Sequence, residues 1–205
     1  MVRIDPLKVG GLFYVVAVFQ FFVFELVAEA VYPGYSVATN YISDLGATCV
    51  NPPSTAVCVV HQPSAAIFDS TVFVLGVLLL AGTCLVYLGT RKAPYLIVAA
   101  ISDIATLLVG VFPENTGWVH AIISIIVFLF LGISLIVAST LTKHTAIRYL
   151  VVAFGVLTLF FNLTSAGTSL VGAGGVERLI VLPVLLGLMT LGGYLTGQDA
   201  PTQGA

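Results

Sequence analysis

The few side chains of this sequence that could do chemistry lie mostly at the ends of long apolar segments. Ser43 and Asp44 are adjacent, and Glu114 precedes His120 by six residues. A histidine can act as a general base, a serine as a nucleophile, and a carboxyl group can orient the histidine or donate a proton. These four residues are therefore the candidate catalytic residues.

The same region contains the donors that a metal ion would need. His61, His120, Asp44 and Glu114 offer nitrogen and oxygen ligands, which zinc accepts when one position stays open for water. The sequence has no compact His-Glu-x-x-His motif. The cofactor thus stays open, with a divalent metal such as zinc as one candidate.

Further charged residues form a candidate substrate-binding group. Arg178 could hold an anionic group, and Glu177, Asp69 and Glu29 could contribute polar contacts. The competing interpretation is structural: Arg178 pairs with one carboxylate, and the remaining acids are protonated or hydrated.

Asp103 is the ionisable residue predicted nearest the middle of a membrane span. Such a residue can carry protons in a transporter. Its neighbours Ser102 and Thr106 could instead satisfy it as a neutral carboxylic acid, and the structural role is slightly favoured.

The elements that position these residues follow from composition. Hydrophobic residues make up 59% of the 205 residues and charged residues only 8%, far below the roughly quarter that soluble domains carry. Because about 20 apolar residues cross the hydrocarbon core, we predict an all-α integral membrane bundle that forms one domain, residues 1–205. Its six spans are predicted at about 9–32, 64–89, 93–112, 118–141, 148–170 and 178–196.

The basic residues predict the orientation. Short loops rich in Lys and Arg stay cytoplasmic, and six of the seven such residues agree on one topology: Arg3, Lys8, Arg91, Lys92, Lys143 and Arg148. We therefore expect a multi-pass protein of the cell membrane with both termini cytoplasmic. The long loop 33–62 between the first two helices, and the segments 113–118 and 171–178, are then outside. The sequence has no basic patch of the kind that binds nucleic acid, so no nucleic-acid partner is expected.

Cys49 and Cys58 both lie in the predicted outer loop. The oxidising conditions there allow a disulfide, although two unpaired thiols remain the alternative. Cys84 lies alone inside the second span and is interpreted as a packing residue.

Several segments taken together resemble a known membrane family. They are Ile42-Ser43-Asp44-Leu45-Gly46, the run from Pro63 to Asp69, Gly110 to Glu114 followed by His120, and Glu177-Arg178. In this order they are similar to the family catalogued as domain of unknown function 998, over roughly residue 33 to the end. The family more often has Asn at the position of Asp69. The resemblance implies a bundle of six helices and no established activity.

The leading functional hypothesis is a hydrolase or transferase that acts on a lipid or other amphiphile at an outward-facing polar pocket. A non-catalytic accessory or scaffold subunit is the alternative, and an ion or proton transporter is the third. Membrane lipids are the expected partners, and spans this apolar would also suit a homo-oligomer or a larger membrane complex.

Overall fold

The computed structural model describes residues 5–55 and 57–198, and it is a bundle of six long helices. They are α1 (Pro6–Val31), α2 (Ser64–Thr90), α3 (Ala93–Val111), α4 (Trp118–Ala138), α5 (Thr145–Thr164) and α6 (Thr168–Thr196). All six are long and apolar enough to cross a membrane, with a short 3-10 turn extending α4 to Leu141. The prediction of an all-α bundle of membrane helices is thus confirmed.

Local chemistry explains where the first helices begin and end. Asp5 caps α1 by accepting a hydrogen bond from the Leu7 amide at 2.9 Å, and Pro6 suits the first turn. Arg91 ends α2 in a left-handed conformation, with φ of 57°. A two-residue connection at 91–92 then leads into α3, so α2 and α3 are antiparallel neighbours.

The boundary between the last two helices differs from the prediction, which ended span five at 170 and placed a loop at 171–178. Ser165 ends α5 in a left-handed conformation with φ of 49°, and α6 begins at Thr168. The predicted loop 171–178 is instead part of α6, which is kinked at Gly172, whose φ is 75°. Glycine tolerates this conformation, so Gly172 bends the helix rather than ending it.

The helices form a closed ring in sequence order, because α6 returns to pack against α1 and also contacts α4. Several of these crossings depend on glycine, and two of them illustrate this. A Cβ atom on Gly192 of α6 would lie 2.6 Å from the Gly11 carbonyl oxygen of α1, and one on Gly155 of α5 would lie 2.7 Å from that of Gly132 of α4. The backbones of α4 and α5 therefore meet near mid-bundle.

One end of the bundle carries most of the non-helical chain, and we call it the loop end (residues 32–63, 112–117 and 165–178). Strands β1 (Thr48–Cys49) and β2 (Cys58–Val59) pair antiparallel there. A disulfide joins Cys49 to Cys58, as predicted. Two 3-10 turns, Ser43–Leu45 and Glu114–Thr116, place the candidate residues of the loop end.

The described basic residues other than Arg178 lie at the end of the bundle opposite the loop end. At that end α1 begins, and the short connections 91–92 and 142–144 lie there. The distribution of Lys8, Arg91, Lys92, Lys143 and Arg148 therefore follows the prediction. Arg3 lies outside the described residues, as do residues 199–205 of the predicted cytoplasmic tail. Which end faces the cytoplasm stays a prediction.

Candidate functional site

His120 lies in the first turn of α4 and is largely buried, with 8% of its surface exposed. Its Nδ1 atom is 2.8 Å from the Phe112 carbonyl oxygen, and its Nε2 atom is 3.3 Å from the Ser124 hydroxyl. Because a carbonyl oxygen can only accept, Nδ1 carries the proton in the neutral ring. Nε2 therefore keeps a lone pair, and it accepts a hydrogen bond from Ser124.

Ser43 and Glu114 come together across the loop end. The Ser43 hydroxyl donates to Oε2 of Glu114 at 3.2 Å. Glu114 is 5% exposed, and its other oxygen, Oε1, has no hydrogen-bond partner among the described residues. The Ser43 hydroxyl and the Cys49 amide therefore both act on this carboxyl group.

Asp44 has a different set of partners. Its Oδ2 atom accepts hydrogen bonds from the Asn40 side chain and the Tyr41 amide, both at 2.9 Å. Asp44 thus stabilises the 3-10 turn Ser43–Leu45. It does not orient His120, which is held by the carbonyl oxygen of Phe112.

The neighbouring carboxyl groups of Glu114 and Asp44 both have raised pKa values. Burial, followed by the charge of Asp44, raises the pKa of Glu114 to about 7, while the Ser43 hydroxyl opposes the shift. Burial also raises the pKa of Asp44, against the hydrogen bonds from Asn40 and Tyr41.

Arg178 is the centre of a separate group, the Arg178 cluster, which consists of Arg178, Glu29 and Tyr35. Its Nη2 atom donates to Oε1 of Glu29 at 2.5 Å and to the Tyr35 hydroxyl at 2.6 Å. Its Nη1 atom donates to three carbonyl oxygens, those of Val37, Asn40 and Gly174. These bonds connect α6 to α1 and to residues 35–40, which follow α1.

The Arg178 cluster bears on two predicted substrate-binding residues. All the hydrogen bonds of the Arg178 guanidinium go to groups of the chain itself, and Glu29 is its ion-pair partner. Neither residue lines the cavities described below. The pairing with Glu29 agrees with the structural interpretation of Arg178, while its role in anion binding stays a prediction.

Two adjoining cavities, which share several lining residues, lie at the loop end. The larger one, the chamber, has a volume of about 470 Å³ and is lined by residues of α4, α5, α6 and the loops, among them Ser43, Glu114, His120, Ser124, Asn162 and Glu177. The smaller one, the crevice, has a volume of about 80 Å³ and runs between the helices against mainly apolar side chains, among them Phe21, Phe68, Leu75, Val127, Leu131 and Leu185. Ser43, His120, Ser124 and Glu177 line both cavities.

Glu177 therefore lies where the chamber and the crevice adjoin, and it also contacts the loop that follows α1. One of its oxygens accepts a short hydrogen bond from the amide of Ile42. The structure thus brings together five predicted site residues: Ser43, Asp44, Glu114, His120 and Glu177.

Two other predicted site residues lie apart from this group. The ring of His61 packs edge-on against Tyr32, with centroids 4.5 Å apart. The Asp69 side chain lies against Gly46 and lines neither cavity.

The predicted set of metal ligands is consequently not assembled. In residues 5–55 and 57–198, no three His, Cys, Asp or Glu side chains are grouped so that they could hold a metal ion. The physical reason is that His61 belongs to the chain entering α2, where it packs on Tyr32, while His120 begins α4.

Ser124 was not among the predicted site residues, although its spacing from His120 pointed to it. Ser124 follows His120 by four residues on a helix, which places both on one face. A serine within an apolar span is a weaker indication of a site than an acid there. Ser124 nevertheless lines both the chamber and the crevice.

The partner of Asp103 was also missed. Thr83 of α2 donates to Oδ2 of Asp103 at 2.6 Å, and the Thr83 hydroxyl is 2.9 Å from that of Tyr14. The hydroxyls of Ser102 and Thr106, which we expected to satisfy this acid, donate to carbonyl oxygens of their own helix. Asp103 lines neither the chamber nor the crevice.

Comparison with known proteins identifies the family. A family model described as "Protein of unknown function (DUF998)" matches residues 15–194. The chain therefore belongs to this family, as its motifs suggested. No curated protein and no solved structure matches the chain.

Proposed function

We propose that this protein binds a membrane amphiphile at the loop end and hydrolyses or transfers one of its groups, with His120 as the general base. The observation that carries the proposal is the position of His120 where the chamber, which contains carboxyl, hydroxyl and amide groups, meets a crevice lined mainly by apolar side chains. An amphiphile has the same division, so its head group would occupy the chamber and a chain the crevice.

The base is prepared by its hydrogen bonds. Phe112 fixes the proton on Nδ1, which leaves Nε2 to accept one from an attacking hydroxyl, that of Ser124 or of a water molecule. The same nitrogen would return the proton to the leaving group, so the reaction consumes no net proton. If Ser124 attacks, the intermediate is covalent and a second acceptor releases it.

The route of the substrate follows from the helix packing. The backbones of α4 and α5 meet at Gly132 and Gly155, and nearer the loop end residues of both helices, Ser124 and Asn162, line the chamber. Exposed apolar side chains such as Ile125 of α4 surround this region. We infer that the amphiphile enters sideways from the bilayer between the loop-end halves of α4 and α5.

We further propose that the loop end faces outward in the cell membrane. The disulfide at this end and the basic residues at the other support this orientation. Asn115 and Lys143 are exposed at opposite ends. On intact cells, a membrane-impermeant maleimide should label Asn115→Cys and spare Lys143→Cys until the cells are lysed; the reverse pattern would overturn the orientation.

The activity is tested by turnover of lipid. Purified wild-type protein and His120→Ala are each placed in nanodiscs made from a total lipid extract of the cells that express the protein. The lipids of the two samples are then compared by untargeted mass spectrometry. We expect at least one lipid to be depleted, with its product accumulating, only when His120 is present. His144→Ala is the matched control, because His144 is an exposed histidine at the opposite end. Identical lipid profiles for wild type and His120→Ala would contradict the proposed activity.

A second candidate is a non-catalytic scaffold, favoured by the Arg178 cluster. Five hydrogen bonds from one guanidinium join α6 to α1 and to the chain after it. Under this alternative His120 is a packing residue, so His120→Ala would lose much of its thermal stability. A catalytic His120 predicts a variant that unfolds near the wild-type temperature and turns over no lipid.

A further inference from the structure

The chamber has an unusual balance of charge for a lipid-binding cavity. Two carboxyl groups, those of Glu114 and Glu177, line it, and none of its described lining residues is lysine or arginine. Arg178 follows Glu177 directly, yet its guanidinium is paired with Glu29 at 2.5 Å. The chamber therefore offers acceptors and negative charge to a head group, with no side-chain cation.

Glu114 supplies the acceptor that needs a ligand. It is 5% exposed and lines the chamber, and its Oε1 atom has no partner among the described residues. A buried carboxylate oxygen without a donor is costly, and a ligand that donates a hydrogen bond to it would remove that cost. Oε2 already accepts the hydrogen bond of Ser43, which leaves Oε1 as the oxygen for a ligand.

The crevice limits the rest of the ligand. It is small, about 80 Å³, and its walls are apolar side chains from several helices, such as Phe21, Leu75 and Leu185. A narrow apolar cavity beside the head-group chamber takes the first carbons of one hydrocarbon chain and leaves no room for a second.

We propose that the chamber selects an amphiphile with an ammonium head group and a single chain in the crevice, and that Oε1 of Glu114 accepts a hydrogen bond from the ammonium. This inference rests on the proposed function for the amphiphile itself, and it adds the head-group class. An ammonium meets two carboxyl groups there, whereas a phosphate would be repelled by both. A neutral polyol could donate to Oε1 but would leave the charge of the chamber unbalanced.

Equilibrium binding tests the proposal without any need for turnover. Dodecylamine, dodecyl phosphate and the ether of dodecanol with glycerol share one chain and differ in head group. Their affinities for the full chain are measured by native mass spectrometry from a neutral detergent at pH 8. We expect dodecylamine to bind about tenfold more tightly than either of the others, as a charge-assisted hydrogen bond would give.

The variants identify the acceptor. Glu114→Gln should lose about tenfold in affinity for dodecylamine and little for the glycerol ether. Asp5→Asn is the matched control, because it removes a carboxylate from the opposite end, where Asp5 caps α1. Should Glu114→Gln fail to fold, the comparison of head groups on the wild-type protein still decides the question.

Two results would overturn the inference: a phosphate or glycerol ether that binds as tightly as the amine, or amine binding unchanged in a folded Glu114→Gln. Failure of the proposed activity has a different signature. Lipid turnover that depends on His120, without preference for the amine, would overturn only the head-group class. Amine selectivity without such turnover would overturn only the reaction.

Discussion

The Nδ1 atom of His120 lies 2.8 Å from the carbonyl oxygen of Phe112, across the turn that joins α3 to α4. This one contact fixes the tautomer, because the carbonyl oxygen must accept the proton of Nδ1. The imidazole is thus oriented by backbone, and no carboxylate is needed for that role. Nε2 is left as the acceptor at the junction of the chamber and the crevice.

The Arg178 cluster should contribute strongly to stability. Arg178→Met leaves Glu29 without its ion-pair partner in a site where the two side chains are only 12% and 18% exposed. Removing one member of a buried pair typically costs about 3 kcal/mol or more. We expect a clearly lower unfolding temperature in detergent, measured by the fluorescence of the protein.

The double variant Glu29→Met/Arg178→Met is the control for that measurement. It removes both charges, so it should recover part of the loss. A single variant as stable as the wild type would show that the cluster has no structural role.

The disulfide predicts a thiol count. The chain has three cysteines, and Cys84 is the free one. Denatured protein should therefore show one reactive thiol before reduction and three after it. By closing this loop, the disulfide should stabilise the fold by roughly 2–3 kcal/mol. The double variant Cys49→Ser/Cys58→Ser should therefore unfold at a lower temperature. Three reactive thiols in unreduced protein would contradict the pairing.

Glu114 predicts a specific dependence of stability on pH. Its pKa is about 7 in the folded protein, against an ordinary value of 4.5. The folded protein therefore binds this proton more tightly than the unfolded chain, so the stabilisation is complete below about pH 4.5 and is lost as the pH rises to about 7.

We expect the free energy of unfolding in detergent to fall across that window, and Glu114→Gln to flatten the fall. Asp44 acts in the same direction, because burial also raises its pKa, so some dependence should persist in the variant. Asp5→Asn is the control for a carboxylate at the opposite end. Parallel curves for wild type and Glu114→Gln would refute the assignment.

The hydroxyl of Thr83 should stabilise the bundle through Asp103. Thr83→Val keeps the shape of the side chain and removes the donor 2.6 Å from the Asp103 carboxyl. A buried polar group left without its partner costs about 1–3 kcal/mol. Thr190→Val is the matched control, since the hydroxyl of Thr190 is exposed and bonds to Leu186 within its own helix. Equal unfolding temperatures for the two variants would show that the contact contributes nothing.

The fold was largely predictable because its signals are local. Apolar runs, and basic residues at short turns, are read directly from the sequence. The boundary between α5 and α6 was wrong for a local reason too. Gly172 permits either a turn or a kink, and only packing against the segment near Ala38 selects the kink.

The site was predicted less completely because its contacts are not local. Arg178 and Glu29 are 149 residues apart, so their pairing could be offered only as an alternative to anion binding. Thr83 and Asp103 lie on different helices, which hid the partner of the acid. Ser43, Glu114 and His120 were found because ionisable or polar groups at the ends of apolar spans are conspicuous, whereas Ser124 inside one was not.

A photoactivatable amphiphile tests the central claim most directly. A dodecylamine with a diazirine on one of the first carbons of its chain is crosslinked to the wild-type protein in nanodiscs, and the labelled peptides are mapped by mass spectrometry. We predict labelling at the crevice residues Val127 and Leu131, abolished by excess unlabelled dodecylamine. Labelling confined to lipid-facing residues such as Ile122 and Leu163, and insensitive to competitor, would contradict an amphiphile site inside the bundle.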